Sequence, residues 1–201
     1  GYSPKQSDLL AGYDDAIGLV GRSGATVVPT LAVGGGFVDF VLGTPDLLTL
    51  PQLALLPEAD RRNLAVLPAL VGNRRALLAD ALGRARATLG AMHQAGATVL
   101  AGTDAPIFTY GLSLHAELAN LAAAGLPPAE VLRSATGRAA DAVGAGADLG
   151  YVAPGRLADL LVVAGDPLAD PRDLLRVRLV LQAGRVVGGT GAGTGTGTGT
   201  P

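Results

Sequence analysis

The stretch Gly96-Ala-Thr-Val-Leu-Ala-Gly-Thr-Asp-Ala-Pro106 decides the fold that this sequence predicts. Its segment from Ala97 to Ala101 is short and apolar, which is typical of a parallel strand covered by helices on both faces. Asp104 follows this segment almost at once. We therefore expect Asp104 at the carboxyl end of a buried strand, where α/β folds and (β/α) barrels place their chemistry.

The opening of this stretch occurs twice in the chain. Gly-Ala-Thr-Val-Val at 24–28 matches Gly-Ala-Thr-Val-Leu at 96–100, and a segment of helical character precedes each copy. Two copies of helix, strand and loop predict successive αβ units of one parallel sheet. The connection over 34–56 is long enough to be functional, and its glycine-rich start, Gly34-Gly-Gly-Phe37, is a candidate wall of a substrate pocket.

Helices are predicted on both sides of the central strand. Residues 8–23 have loosely helical spacing, and residues 57–95 have helical composition with breaks expected near Pro68 and Gly72. His93 falls near the end of this second segment. A histidine favours a helix C-terminus, so we interpret His93 as structural.

Another helix is expected to follow the loop after Asp104. Ser113 is its predicted N-cap, Leu114, Leu118 and Leu121 fall on one face, and Gly125 ends it. Two shorter helices are predicted next, over 126–134 and 137–143.

The character of the sequence changes near Gly150. Strands are predicted at 157–163 and 177–182, and a hairpin turn at Ala183-Gly184 leads into Val186-Val187. Asp159 lies between apolar residues, so its carboxylate is expected to find backbone donors and to define the fold. The sequence therefore divides into an α/β part over 1–149, a small β unit over 150–187 and a Gly/Thr tail over 188–201 that is expected to be disordered.

Composition excludes several classes of function. The chain has 201 residues, no Cys, no Trp and a formal net charge of −2. A nucleic-acid partner would require a basic face. A membrane span would require about 18 consecutive apolar residues. The sequence has neither feature. Without Cys there is no disulfide framework and no thiolate metal site. The chain begins at Gly1 and not at Met, which is compatible with a processed protein, an excised domain or a fragment.

A series of motifs in a fixed order carries a resemblance to a known family. After Gly102-Thr-Asp104 come Ser113-Leu-His-Ala-Glu-Leu118, Ala124-Gly-Leu-Pro-Pro-Ala-Glu130, Ala135-Thr-Gly-Arg-Ala-Ala140, Pro154-Gly-Arg-Leu-Ala-Asp-Leu-Leu-Val-Val163 and Gly165-Asp-Pro-Leu168. Over roughly residues 1–187 the chain resembles the C-terminal half of the amidohydrolase superfamily, in the branch of imidazolonepropionases and prolidase-like enzymes.

The resemblance implies an α/β fold in which residues 1–149 are the C-terminal part of a (β/α)8 TIM-type barrel of a metal-dependent hydrolase. It also implies that residues 150–187 are strands of a small β-sandwich. The segment from Val27 to Leu31 would be the seventh strand and the central stretch the eighth. Asp104 matches the family's aspartate that both ligates a divalent metal and acts as general acid and base. One or two divalent ions are implied as cofactor, and zinc is the expected metal.

The family's remaining metal ligands do not occur in this chain. The family carries a His-x-His pair, a lysine or carboxylate and two single histidines on its first six strands, whereas this sequence has only His93 and His115. A whole barrel also takes about 250 residues. The resemblance therefore implies a piece of an enzyme, beginning just after the sixth strand, that cannot assemble a catalytic site by itself.

Other residues near the predicted site receive weaker interpretations. His115 and Thr103 are candidates for contacting the substrate or supporting the metal ligand, although His115 could equally make a helix N-terminal hydrogen bond. Glu117 is interpreted as structural, bonded to backbone or to an arginine. Thr103 and Pro106 are expected to shape the loop that aims Asp104.

These observations predict a metal-dependent hydrolase of a small-molecule amide, and they leave cyclic amides, N-acyl amino acids and Xaa-Pro dipeptides open. We expect no nucleic-acid or membrane partner and a cytoplasmic location, with a homo-oligomer left open. One alternative is a non-catalytic or degenerate chain that acts by association, because unpaired barrel strands favour pairing. An unrelated α/β binding domain is the remaining alternative, which the ordered motifs disfavour.

Overall fold

The computed structural model describes residues 14–44, 47–105, 107 and 109–189. Within them lie seven α-helices: α1 Asp14–Arg22, α2 Phe37–Gly43, α3 Glu58–Val71, α4 Arg75–Gln94, α5 Leu112–Ala123, α6 Pro128–Ser134 and α7 Gly137–Ala142. Five strands accompany them: β1 Thr26–Val27, β2 Thr98–Val99, β3 Leu160–Val163, β4 Val177–Gln182 and β5 Arg185–Gly188. The predicted helical segment 8–13, Pro106 and residues 190–201 of the predicted tail 188–201 lie outside the described residues. The tail was predicted to begin at Gly188, but Gly188 is the last residue of β5.

The two repeated segments form neighbouring parallel strands, as the sequence predicts. Thr26 pairs with Thr98 and Val27 with Val99, and the amide of Leu100 donates to the carbonyl of Val27 at 3.0 Å. Each strand has only two residues, so the predicted extents of 27–31 and 97–101 were too long. Pro29 has no amide to donate to a ladder, which helps explain why β1 ends early.

The long connection after β1 is mostly helical. A π-helical turn at Ala32–Gly36 leads into α2, and two short 3₁₀ segments precede α3. The predicted break at Pro68 was wrong, because α3 continues through Pro68 to Val71. The break near Gly72 is confirmed: Gly72 has φ 46°, which helical residues do not adopt, and α4 begins shortly after it.

The helix after the Asp104 loop begins earlier than expected. Gly111, with φ 74°, precedes Leu112, so Ser113 lies inside α5 and the prediction that it is the N-cap was wrong. Leu118 and Leu121 are buried, whereas Leu114 is 37% exposed and does not belong to the buried face. The helix begins early because Gly111 adopts a positive φ, which lets the chain enter the helix without a side-chain cap.

Two apolar clusters hold the helices and strands together. One joins α2, α3 and the start of α5, and the other joins β2, α4, α5 and α6 around Leu82, Val99 and Leu121. A polar bridge ties three helices: Arg86 of α4 donates to buried Asn120 of α5 at 2.6 Å and pairs with Asp39 of α2 at 2.6 Å. This framework fixes α5 against the strand ends.

The C-terminal part is an antiparallel sheet in the order β3-β4-β5. The hairpin turn at Ala183-Gly184 is confirmed, and Asp159 accepts from the Ala183 amide at 2.7 Å, which is the backbone role predicted for it. β3 begins at Leu160 and not at the predicted Leu157. Leu174 and Leu175, just before β4, pack against the two clusters and join this sheet to α5.

Candidate functional site

Asp104 lies five residues after Val99, the last residue of β2, and is exposed. It has φ 48°, a left-handed conformation that Asp adopts more readily than most residues. The amide of Ile107 donates to its carbonyl at 3.0 Å, and Thr103 Oγ1 accepts from the Ala105 amide at 3.4 Å. These two contacts shape a tight turn, and Asp104 is exposed where a cation could reach its carboxylate.

The ends of the two parallel strands meet beside Asp104. A methyl group placed on Gly102 would overlap the side chain of Val28 and lie 3.3 Å from Thr30 Oγ1. Thr30 also has φ 48°, so both chains turn sharply where their strands end. Glycine at 102 is therefore required by the close approach of the neighbouring strand, and the turn after β1 lies next to the turn that carries Asp104.

A buried carboxylate on α5 holds the first of these turns. Glu117 is 0% exposed, and its Oε2 accepts from the Ala32 amide at 2.8 Å, with the Leu31 amide as a further donor. The sequence interpretation of Glu117 as bonded to backbone agrees with this contact. The sequence did not predict that Glu117 lies close enough to Asp104 for its pKa to respond to that charge, because the packing of α5 against the strand ends has no local sequence signal.

The electrostatics of Glu117 differ from those of an ordinary surface glutamate. Desolvation by burial raises its pKa to about 7, the backbone donors from Ala32 and Leu31 oppose that rise, and the negative charge of Asp104 adds to it. Its second oxygen, Oε1, is buried and has no hydrogen-bond partner among the described residues. A group of this kind can exist with or without its proton near neutral pH.

The structure places the two other predicted site residues on different segments: Thr103 directly precedes Asp104, and His115 lies in the first turn of α5. His115 Nδ1 is buried and lacks a hydrogen-bond partner within the described part of the chain, and burial lowers the pKa of this imidazole. Ser113 Oγ, one turn before Glu117, is likewise buried and unpaired there. Thr103 is half-buried and supports the Asp104 turn through its hydroxyl. His93 lies in the last turn of α4, where a structural role was predicted.

The described residues do not form a complete metal site. Over residues 14–44, 47–105, 107 and 109–189, no group of three or more His, Cys, Asp or Glu side chains could hold an ion. Protein metal sites take three or four ligands from side chains. Asp104 fits as a single carboxylate ligand, and the others would have to come from residues outside this part of the chain.

A cavity of about 410 Å³ opens beside the loop that follows Asp104. Phe37, at the end of the predicted glycine-rich wall, lines it together with Leu64 and Leu67 of α3 and Ile107 of the loop. The glycines at 34–36 are not among its lining residues. The sequence therefore located one wall of the cavity but not the contribution of α3.

Comparison with solved structures shows a shared fold. A Xaa-Pro dipeptidase with bound methionine in the active site is 24% identical, with a TM-score of 0.58 over 87% of this chain and 37% of that one. An amidohydrolase is 30% identical with a TM-score of 0.57, covering 86% and 37%. A prolidase complexed with N-methylphosphonate-L-proline is 26% identical with a TM-score of 0.57, covering 89% and 38%. This chain thus spans under two fifths of the length of these relatives.

Sequence comparison assigns the family. No curated protein sequence matches the chain. The family model described as "Amidohydrolase family" matches residues 12–187, which is most of the chain and includes Asp104. The chain belongs to the amidohydrolase family.

Proposed function

We propose that this chain carries Asp104 into the active site of a metal-dependent amidohydrolase that cleaves a C–N amide bond with activated water. The observation that supports it is an exposed carboxylate just beyond the end of a parallel strand, within a chain of the amidohydrolase family. In this proposal β1 and β2 are the last two strands of a (β/α)8 barrel, and β3, β4 and β5 belong to a small β-sandwich.

Asp104 would have two tasks in this reaction. Its carboxylate would bind the cation and accept a proton from the attacking water, and it would return that proton to the leaving amine. A divalent ion at the site, expected to be zinc, would polarise the amide carbonyl. Glu117 would hold the adjacent turn, so that the two strand ends keep their spacing around the reacting amide.

The other ligands and the rest of the barrel would come from outside the described residues. One carboxylate does not hold a catalytic ion, so the 201-residue chain by itself would be inactive. The relatives named as prolidases and as a Xaa-Pro dipeptidase favour a dipeptide with proline second as the substrate. N-acyl amino acids and cyclic amides remain within the proposal.

The exposed apolar surface favours a second candidate function, a non-catalytic chain that acts by association with another subunit. Leu55, just before α3, and Leu77 of α4 are 86% and 66% exposed, and β1 and β2 pair only with each other within the described residues. Such surfaces commonly pack against another chain or another part of the same protein.

Activity of the complete product of the gene that encodes this chain tests the two candidates. The assay measures hydrolysis of Met-Pro, N-acetylmethionine and a cyclic amide with and without added zinc. The first candidate predicts zinc-dependent hydrolysis of at least one substrate, and a loss of about 10²-fold or more in Asp104→Asn. Asp80→Asn, which removes an exposed carboxylate paired with Arg84, is the matched control and should retain activity. Absence of hydrolysis would leave only the association function, whereas full activity in Asp104→Asn would contradict the role proposed for Asp104.

A further inference from the structure

The cavity beside the Asp104 loop has a lining that specifies a ligand. Its apolar wall comes from Leu64 and Leu67 of α3 and from Ile107 of the loop. Its polar wall comes from Asp60 and Asn63 in the first turns of α3. We propose that this cavity binds the amino-terminal residue of the substrate, with an apolar side chain in the cavity and a protonated amine at Asp60. This inference rests on the proposed function and names its substrate class.

The size of the cavity suits a ligand of amino-acid dimensions. Ligand pockets usually measure about 300–1,000 Å³, and this cavity of about 410 Å³ lies at the lower end. Five of its nine lining side chains are aliphatic or aromatic without a polar atom. An apolar side chain would gain about 25 cal/mol for each Å² of surface removed from water.

The position of the cavity suits the proposed substrate. Ile107 lines the cavity and is three residues beyond Asp104, to whose carbonyl its amide is bonded at 3.0 Å. The cavity therefore adjoins the loop that carries Asp104. In the proposal, the first residue of a dipeptide whose amide lies at Asp104 extends along this loop into the cavity.

The charge of the cavity selects an ammonium group over a carboxylate. Asp60 is the only charged residue among the described residues that line it, and it is half-buried. The neighbouring arginines are engaged elsewhere: Arg61 donates to the carbonyl of Ala54 at 3.0 Å, and Arg62 pairs with Glu58. No ion pair to Asp60 is found within the described ranges. A ligand carboxylate would be repelled here, so the amine end of a dipeptide is the end that fits.

The rim of the cavity offers a position for a fluorescent reporter. Leu70 lines the cavity and is 71% exposed among the described residues, so Leu70→Trp places an indole at the rim of the cavity. The experiment uses the complete gene product with Leu70→Trp and Asp104→Asn, which prevents hydrolysis of the probes. Three probes are titrated: L-methioninamide, N-acetyl-L-methioninamide without the charged amine, and glycinamide without the side chain.

The inference predicts a saturable fluorescence change with L-methioninamide, which is absent without the Leu70→Trp substitution. The other two probes should bind with an affinity at least about tenfold weaker. Adding Asp60→Asn should weaken L-methioninamide binding about tenfold and leave the N-acetyl probe unchanged. Asp80→Asn is the matched control and should change neither. Equal affinity for the amine and N-acetyl probes, unchanged affinity in Asp60→Asn, or no fluorescence response would overturn the inference.

The two proposals fail separately in this design. Probe binding without any amide hydrolysis by the unsubstituted product would contradict the proposed function and keep the ammonium site. Hydrolysis of amides by that product, with no fluorescence response to L-methioninamide in the Leu70→Trp variant, would contradict only the ammonium site.

Discussion

Asp104 and Glu117 are two carboxylates in different environments, and the negative charge of Asp104 helps to raise the pKa of Glu117. Asp104 is exposed, whereas Glu117 is fully buried and its pKa is raised to about 7. Pairs of titratable groups with such different environments commonly have different roles in a site. Here the exposed carboxylate is available to a ligand, and the buried one holds the backbone of the neighbouring turn.

The buried carboxyl of Glu117 makes stability depend on pH. Its pKa is about 7 in the folded chain against an ordinary value of 4.5, so the folded state holds this proton more tightly than the unfolded state. Stability is then highest at low pH, falls as pH rises from about 4.5, and levels off above 7. Relative to Glu117→Gln, the wild-type free energy of unfolding should fall by roughly 2–3 kcal/mol between pH 5 and pH 8.

Urea unfolding of the complete gene product at both pH values measures this difference. The lowered pKa of His115 acts in the opposite direction, but it is common to both proteins and cancels in the comparison. Glu58→Gln, which alters an exposed side chain on α3, is the control and should show no such change. If the difference in free energy of unfolding between the wild type and Glu117→Gln is the same at both pH values, Glu117 is ionised in the folded chain and the prediction is wrong.

Two glycines on α4 test how closely the helices pack. A methyl group on Gly90 would overlap the backbone oxygen of Ala124 at the end of α5, whereas one on Gly83 meets nothing within 4 Å. We expect Gly90→Ala to destabilise the protein by roughly 1–3 kcal/mol and Gly83→Ala to stabilise it by roughly 0.5–1 kcal/mol. Denaturant midpoints of the two variants measure the effect, and equal midpoints would contradict the packing of α4 on α5.

The β4–β5 hairpin carries strain in its turn. Ala183 has φ 48° and is followed by Gly184 with φ 77°, a pair of positive values for which Asn-Gly is the preferred sequence. Ala183→Asn should therefore raise stability by roughly 0.5–1 kcal/mol, while Ala183→Val should lower it. Thermal unfolding of the pair tests this, and stabilisation by valine would exclude the turn. The bond from the Ala183 amide to Asp159 is a backbone contact that both variants retain.

Local patterns predicted the elements better than their ends. The repeated Gly-Ala-Thr-Val predicted the parallel pairing of β1 with β2, because short apolar runs and their flanking glycines are local signals. The positions at which those strands stop were missed, since a left-handed turn at Thr30 leaves no mark in composition. Ser113 as an N-cap failed for a similar reason, because Gly111 starts the helix through its own positive φ.

In the candidate site, too, residues with a local sequence signal were predicted and contacts that depend on tertiary packing were not. Asp104 was identified from its place after a strand, whereas the bond from Glu117 to the Ala32 amide joins residues 85 positions apart. Contacts of this kind depend on how α5 packs against the strand ends. The cavity wall from α3 was missed because nothing in its sequence distinguishes the face that lines a pocket from a face that packs in the core.

At the scale of the whole molecule, the chain contains one part of the fold of its relatives. It covers 37–40% of the length of the solved amidohydrolase-like chains, and its parallel sheet has two strands among the described residues. None of the described helices is long and apolar enough to cross a membrane. Leu55 and Leu77 are then surfaces that the remainder of a barrel or another subunit would cover.

Zinc affinity of the complete gene product tests most directly whether Asp104 is a metal ligand. Titration against a chelator of known affinity compares the wild-type protein with Asp104→Asn and with the control Asp80→Asn. We predict stoichiometric zinc in the wild type and the control, and an affinity at least about a hundredfold weaker in Asp104→Asn. Zinc bound equally by all three proteins, or by none, would contradict the assignment of Asp104 as a ligand.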